Sequence, residues 1–334
     1  MPQNHLSGVN SGERKLNVLS LFDGMSCGMI ALDRLGIKVD NYYASEIDKY
    51  AMQVSKANYP KIIQVGDITK LDLSTLPKID LVMGGSPCQD LSFANSKGQG
   101  LAGKRSSLFF EFHKAISYLQ PKYFLLENVK MKKENLDIIS HYMGVEPILI
   151  NSSLLSAQSR QRYYWTNIPN VKQPEERGIV LRDILEDQPQ RIGKTSDKPQ
   201  HIGTAVDING HDILKRVYSP NGKSPTMNSM GGGNREPKVV VGAYRGRYNE
   251  DGSTSQKLEL RKDEKTNTIT TVQKDNVLTK DKVYWRKILP IEAERLQTVP
   301  DNYTNHVSKT QRFRMLGNGW TIEVIAHILK NMEL

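Results

Sequence analysis

Short apolar runs followed by glycine turns and helical patterns constrain the fold of this chain most strongly. Such runs lie at positions 16–21, 62–65, 79–83 and 123–126, and a more polar strand-like run at 38–44 follows the first of them. Short continuous apolar runs are typical of strands that are buried on both faces of a sheet. Because helical patterns follow the first two runs, the sequence predicts an α/β fold with a Rossmann-like, doubly wound sheet.

The character of the chain changes twice. A polar, loop-rich region with strand-like fragments begins at Lys172 and reaches Tyr284, and helical patterns then return near Pro290 and Ile322. A chain of 334 residues is long enough for two moderate domains. We therefore predict a catalytic domain at 14–171, a smaller loop- and strand-rich recognition domain at 172–284, and a return to the catalytic domain at 285–334.

Composition excludes several classes of protein. The two cysteines, Cys27 and Cys88, are too few for a disulfide framework or a thiolate metal site. We therefore expect no metal. No stretch approaches the roughly 20 apolar residues that a membrane span needs, so we also expect a cytoplasmic protein. The net charge of +10 favours an anionic partner such as nucleic acid. The basic excess is spread evenly along the chain, however, and also fits plain solubility.

The loop after the run at 79–83 contains a candidate nucleophile. Cys88 follows Pro87 on a strand-to-loop turn, which would present the sulfur at the carboxyl edge of the sheet, where ligands collect in α/β folds. The alternative is an ordinary buried thiol. The glycine-rich stretch that follows carries Lys97, Lys104 and Arg105, and it could close over a substrate and meet phosphates or simply be a solvated loop.

A candidate acid and two arginines accompany the cysteine. The run at 123–126 delivers Glu127 and Asn128 to the same edge, where partial desolvation would favour a carboxyl group that can donate a proton. The alternative for Glu127 is a helix cap. Arg160 and Arg162 would share one face of a strand and could hold a carbonyl or a phosphate; alternatively, they are surface residues of an edge strand.

Three turns at the ends of the first three runs predict a ligand pocket. Phe22, Asp23 and Gly24 begin a glycine turn that ends at Gly28; Glu46 could accept from ribose hydroxyls and Asp67 from an exocyclic amine. Each has a plainer alternative. The glycine turn could be a packing turn, Glu46 could be an acid at a helix start, a role that Asp48 could equally supply, and Asp67 could form an Asx-turn. Together, and without a phosphate-binding lysine, they indicate an adenosine-containing ligand, namely S-adenosylmethionine.

Two features of the second half complete the prediction. The segment at 223–230 resembles the one at 265–272, and polar side chains near them could read base edges or form solubilising turns. Asn318, flanked by Gly317 and Gly319 before the last helical pattern, could finish the ligand pocket or be a plain helix entry.

These motifs together resemble the C5-cytosine DNA methyltransferase family over nearly the whole chain. They occur in family order and share its spacing. The first half is similar to the de novo animal branch, and the tail is similar to stand-alone bacterial or phage enzymes. The matching segments are Phe22 to Gly28, Glu46 with Asp48, Gly66-Asp67-Ile68, Pro87-Cys88-Gln89, Glu127-Asn128-Val129, Gln158 to Arg162, Arg286 to Asp301, and Gly317-Asn318.

The resemblance implies a role for each matched residue. Cys88 would be the nucleophile and Glu127 the acid at ring N3 of a flipped cytosine. The base pocket would be supported by Arg160, Arg162, Asn128 and Pro87. The pocket for S-adenosylmethionine would be lined by Phe22, Asp23, Gly24, Gly28, Glu46, Ile47, Asp67, Ile68, Pro87, Leu108 and Asn318. Duplex DNA would be bound by Gln89, Ser92, Lys97, Arg105, Thr226, Arg235 and Thr268.

The resemblance also implies a monomer that releases S-adenosylhomocysteine. Three alternative functions remain to be compared with it. A transfer-RNA cytosine methyltransferase would use the same Cys88 and Glu127, although the long region 172–284 favours a reader of duplex DNA. A catalytically silent DNA-binding protein would not need these residues. A dinucleotide oxidoreductase would rest on the first glycine turn alone and would leave Cys88 unexplained.

Overall fold

The computed structural model describes residues 15–87, 108–186, 195–205, 208–227, 235–240, 244–248, 254–258 and 285–334. The strands are β1 (Leu16–Leu21), β2 (Val39–Ser45), β3 (Ile63–Gln64), β4 (Leu81–Gly85), β5 (Tyr123–Val129), β6 (Ile148–Asn151), β7 (Gln161–Thr166), β8 (His201–Thr204), β9 (Arg216–Tyr218), β10 (Lys238–Val240), β11 (Tyr244–Tyr248), β12 (Thr254–Leu258) and β13 (Trp285–Lys287). The α-helices are α1 (Cys27–Arg34), α2 (Lys49–Asn58), α3 (Leu108–Leu119), α4 (Lys133–Met143), α5 (Asp212–Lys215), α6 (Pro290–Leu296), α7 (Lys309–Asn318) and α8 (Ile322–Leu329).

Seven strands form the central sheet in the order β3-β2-β1-β4-β5-β7-β6. The pairs from β3 to β5 are parallel, whereas β7 is antiparallel to both β5 and β6. The chain reverses its direction of strand placement between β1 and β4, and such a switch point opens a crevice at the carboxyl edge of a doubly wound sheet. The predicted α/β fold class is confirmed.

Apolar helices cover both faces of this sheet. One buried cluster joins α1 to the C-terminal helices through side chains such as Ile30 and Ile325, and the other joins the sheet to α3 and α4 through Phe112 and Ile139. The C-terminal helices therefore pack in the same apolar core as α1 and the central sheet. Arg34 of α1 also forms an ion pair with Glu323 of α8, with 2.6 Å between Nη1 and Oε1.

The region between 172 and 284 is partly built into the same core. It supplies most of a four-stranded sheet in the order β13-β10-β9-β8, and β11 pairs with β12 in a separate hairpin. Leu181, Tyr218 and Met227 nevertheless belong to the apolar cluster that includes α1 and α8. The division into domains stays a prediction. Among the described residues, no helix combines the length and apolar character that crossing a bilayer requires.

Several predicted boundaries shift. The strand expected to end at position 126 continues to Val129, so Glu127 lies inside β5 and the interpretation as a helix cap is wrong. Asn318 ends α7 instead of preceding α8, because the chain stays helical until a three-residue link.

Candidate active site at the carboxyl edge of the sheet

The carboxylate of the acid candidate is paired with one cation and with one hydrogen-bond donor. Glu127 is only 8% exposed, and its Oε1 lies 2.9 Å from Nε of Arg162 on the neighbouring strand β7. The indole Nε1 of Trp320 donates to the other oxygen, Oε2, at 3.1 Å. A buried carboxylate needs such partners, because an unpaired charge in this environment would be strongly unfavourable. The acid is thus fixed at both oxygens.

The strand that leads to Cys88 runs beside the acid. Gly85 pairs in register with Glu127, and a Cβ at Gly85 would lie 2.8 Å from Oε2 of Glu127 and 2.9 Å from Nε1 of Trp320. Contacts that short are not tolerated by real Cβ atoms, so only glycine fits here. Cys88 itself lies outside the described residues, and the described chain enters the turn through the half-buried Pro87.

Asn128 ties the ends of the two strands together. Its Nδ2 donates to Oγ of Ser86 at 3.0 Å, and its own Oδ1 accepts from the backbone N–H of Val129 at 2.8 Å. Asn128 and Ser86 are both buried, so each amide partner is supplied by protein rather than by water. Asn128 therefore fixes the turn that precedes Cys88.

The two arginines have different contacts. Arg160 is 3% exposed and precedes β7; its guanidinium donates to the backbone carbonyls of Met227, Gly317 and Gly319 at 3.2, 3.2 and 3.0 Å. Arg162 contacts the acid. The interpretation as surface arginines on an edge strand is wrong, since β7 lies between β5 and β6. Arg160 instead joins three chain segments behind the site.

The first glycine turn is strained and polar. Phe22 and Gly24 have φ of 56° and 59°, and a phenylalanine in this left-handed region costs about 1–3 kcal/mol. Asp23 is buried and accepts from Ser26 Oγ at 2.5 Å and from Tyr42 Oη at 2.7 Å. Burial raises the pKa of Asp23 from 3.8 to about 6, although these hydrogen bonds oppose the shift. Strain of this kind is typical of ligand-binding loops.

Gly28 has a packing role in this turn. A Cβ there would lie 2.4 Å from Cε of Met83 and 3.0 Å from the hydroxyl oxygen of Tyr42. The absence of a side chain lets α1 lie close to β4. The structure thus accounts for this glycine by packing, and a contact with a ligand stays a prediction.

Glu46 and Ile47 lie at the end of β2, next to the turn. Glu46 Oε2 accepts from the N–H of Gly24 at 2.7 Å, and Oε1 accepts from the N–H groups of Ile47 and Asp48 at 2.7 and 2.8 Å. Ile47 is 77% exposed, an unusual environment for a large apolar side chain. A carboxylate beside an uncovered apolar surface fits a ribose with its adenine ring. Asp48 caps α2, so the capping role that was the alternative for Glu46 is taken by Asp48.

The remaining predicted pocket residues are more scattered. Asp67 caps a short 3₁₀ turn and accepts from the N–H and Oγ1 of Thr69 at 3.0 and 2.8 Å, so the Asx-turn is present. These hydrogen bonds lower the pKa of Asp67. Ile68 is buried, Leu108 is half-buried at the start of α3, and Asn318 is exposed at the end of α7.

Most of the predicted DNA contacts lie outside the described residues. These are Gln89, Ser92, Lys97, Arg105 and Thr268. Thr226 is described, and its hydroxyl donates to the carbonyl oxygen of Ser159 at 2.8 Å, which attaches it to the catalytic core. Arg235 is exposed. Contacts of these residues with DNA stay predictions.

Sequence reasoning missed Trp320, Gly85 as a close approach, and the buried cation Lys223. Lys223 is fully buried, and its ammonium donates to the carbonyls of Ser153, Ser156 and Ile179 at 2.7, 3.3 and 2.5 Å. Trp320 had a signal, because tryptophan is rare in this chain and stands beside a matched motif. Lys223 had none beyond its position in the repeated segment.

The seven-stranded sheet and the buried acid at its carboxyl edge define an α/β domain with a candidate active site at that edge. Solved structures with a similar fold include the methyltransferase EhMeth of Entamoeba histolytica, with a TM-score of 0.65, 15% identity, and coverage of 95% of this chain and 98% of that one. DNMT2 of Spodoptera frugiperda has a TM-score of 0.63 and 18% identity, with 95% and 99% coverage. At such identities the likeness shows the fold alone.

Sequence comparison gives the family. The family model described as C-5 cytosine-specific DNA methylase matches residues 16–334, so the chain belongs to that family. Similar proteins include the orphan methyltransferase M.SPBetaI of Bacillus phage SPbeta, 28% identical, with coverage of 95% of this chain and 97% of that protein. The type II methyltransferase M.NlaX of Neisseria lactamica is 29% identical, with 95% and 96% coverage.

Proposed function

We propose that this protein transfers a methyl group from S-adenosylmethionine to C5 of a cytosine flipped out of duplex DNA, through a covalent bond between Cys88 and C6 of the base. The observation that carries the proposal is the placement of Glu127. It is paired in register with the strand that leads to Cys88 and is held by Arg162. A soft nucleophile and an acid on neighbouring strands suit this reaction.

The chemistry explains why both residues are needed. Cytosine C5 is a poor nucleophile until the Cys88 thiolate adds to C6 and the electron pair displaced from the ring is taken up at N3, where Glu127 supplies a proton. C5 then bonds to the methyl group that S-adenosylmethionine supplies. The bond from that methyl group to the sulfur of the donor breaks, and S-adenosylhomocysteine is released. A base then takes the C5 proton, the C6–sulfur bond breaks to regenerate the Cys88 thiolate, and N3 returns its proton to Glu127.

The surrounding residues would bind the donor and the base and would exclude water. Glu46 and Ile47 support the adenosine part of the donor by a carboxylate and an exposed apolar surface. We assign the ring of the target base to the space beside Glu127 and Arg162, at the carboxyl end of the strand that leads to Cys88. The stack must open at a cost of a few kcal/mol, and the loop after Cys88, with the recognition region, would fill the vacancy. The protein would act as a cytoplasmic monomer.

Transfer of tritium from labelled S-adenosylmethionine tests the proposal. Duplex DNA, the same sequence as RNA, and transfer RNA are compared with the wild-type protein and with Cys88→Ala. We expect label in duplex DNA only, and none with the variant. Label confined to RNA would overturn the assignment of the substrate, and label that persists in Cys88→Ala would overturn the covalent route.

A further inference from the structure

The hydrogen bond from Trp320 to Glu127 has a consequence for the position of the proton. The two oxygens of Glu127 have unlike partners: Oε1 lies 2.9 Å from the charged guanidinium of Arg162, and Oε2 receives the neutral indole N–H of Trp320 at 3.1 Å. A guanidinium stabilises negative charge on its oxygen far more than a neutral donor does. A proton on this carboxyl group therefore resides on Oε2.

We propose that Trp320 is a positioning residue that fixes the direction of Oε2, the oxygen of Glu127 that carries the proton to the base. A carboxyl oxygen has two lone-pair sites, so Oε2 can accept from the indole while it is protonated and donates elsewhere. Without the indole, the carboxyl group could rotate about its bond to the side chain. This inference rests on the proposed function, because it assigns the acid that the reaction uses.

The chain around Trp320 keeps the indole in one place. The carbonyl oxygen of the preceding Gly319 accepts from Arg160 Nη2 at 3.0 Å and from Gln297 Nε2 at 3.2 Å. On the opposite side, Gly85 leaves the space that a Cβ would fill. Trp320 is 8% exposed. Arrangements in which a side chain is locked by packing and by a second layer of hydrogen bonds are typical of groups that orient a reactive residue.

A packing role alone would make the indole nitrogen dispensable, and the chain offers a matched control. Trp165 is fully buried, and its Nε1 donates to Oγ of Ser140 at 3.0 Å and not to the acid. Trp320→Phe and Trp165→Phe each remove an indole and the hydrogen bond that its N–H donates. Only the first removes a donor to the acid.

The first measurement is independent of activity. The indole N–H groups of the three tryptophans give three signals in a ¹H–¹⁵N spectrum, and the signal lost in Trp320→Phe identifies Trp320. We expect this signal to shift in Glu127→Gln while the Trp165 signal stays in place. An unchanged Trp320 signal would overturn the inference. The signal could also shift in Glu127→Gln while the wild-type protein fails to methylate cytosine. That result would overturn the proposed function and leave the contact between Trp320 and Glu127 intact.

The second measurement separates the rate of single-turnover methylation from the binding of DNA. Because the indole fixes the direction of Oε2, its removal should lower the maximal rate by about tenfold while the DNA concentration that gives half of that rate stays unchanged. Trp165→Phe should leave both quantities unchanged. Equal maximal rates for Trp320→Phe and the wild-type protein would overturn the inference.

Discussion

The buried ion pair between Glu127 and Arg162 makes a quantitative prediction about stability. Their side chains are only 10% and 13% exposed, and 2.9 Å separates Oε1 from Nε. At an effective dielectric constant of about 20, two unit charges at this distance attract each other by about 6 kcal/mol. Removing one partner leaves the other charge buried and uncompensated, which costs about 3–5 kcal/mol.

The test is a double-mutant cycle. Arg162→Met leaves the Glu127 carboxylate with Trp320 as its remaining described donor. Glu127→Gln leaves the guanidinium without its carboxylate. We expect each variant to lose about 3 kcal/mol of unfolding free energy and the double variant to lose much less than the sum, because neither charge is then stranded.

Urea denaturation at neutral pH, followed by tryptophan fluorescence, measures the four free energies. The expected coupling is about 2–3 kcal/mol. Lys133 and Asp137 supply the control, because their 2.8 Å pair lies on the surface of α4 with side chains 81% and 57% exposed. Solvent screening should leave that pair with no resolvable coupling. Additive losses at Glu127 and Arg162, within about 0.5 kcal/mol, would refute the reasoning.

Three further predictions concern the pocket and its support. Gly85→Ala should abolish methylation and lower stability by about 1–3 kcal/mol, since the new Cβ displaces Glu127 or Trp320; full activity in a tritium assay would contradict this. The pKa of Asp23, about 6 when folded and 3.8 as its ordinary value, means that the folded state binds more protons in this window and that stability falls as pH rises through it. Urea midpoints should therefore show the wild-type protein gaining about 1.4 kcal/mol relative to Asp23→Asn between pH 7 and pH 5, and a constant difference would disprove the shift. Lys223→Met should cost about 2–4 kcal/mol in the same assay, because three carbonyls lose their donor; a loss below about 0.5 kcal/mol would show that the ammonium is not needed.

The sheet was predictable because its strands are marked locally. The run at 16–21 coincides with β1, and the second run differs from β2 by one residue at each end. Strands that are buried on both faces are mostly apolar, so the sequence carries the signal of β1 without tertiary information. The boundary at Glu127 failed because polar residues at the end of a strand look like the start of a turn, and only the pairing with β7 keeps them extended.

The partners of the site were harder to predict because they come from distant parts of the chain. Trp320 reaches Glu127 across 193 positions, and Arg160 reaches Gly317 across 157. No local pattern specifies which donor meets a buried carboxylate. The expectation that Arg160 and Arg162 share one face rested on strand periodicity, which fails where Arg160 precedes the strand.

The most direct test of the central claim is to trap the bond between Cys88 and the base. Duplex DNA containing 5-fluorocytosine at methylated positions, found beforehand by bisulfite sequencing, is incubated with the protein and S-adenosylmethionine. Fluorine at C5 cannot leave as a proton, so the C6–sulfur bond should persist through denaturation and appear as a protein–DNA adduct by mass spectrometry. The account predicts an adduct on the peptide containing Cys88 and none with Cys88→Ala. A protein that methylates cytosine in duplex DNA yet forms no adduct, or forms one at another residue, would contradict it.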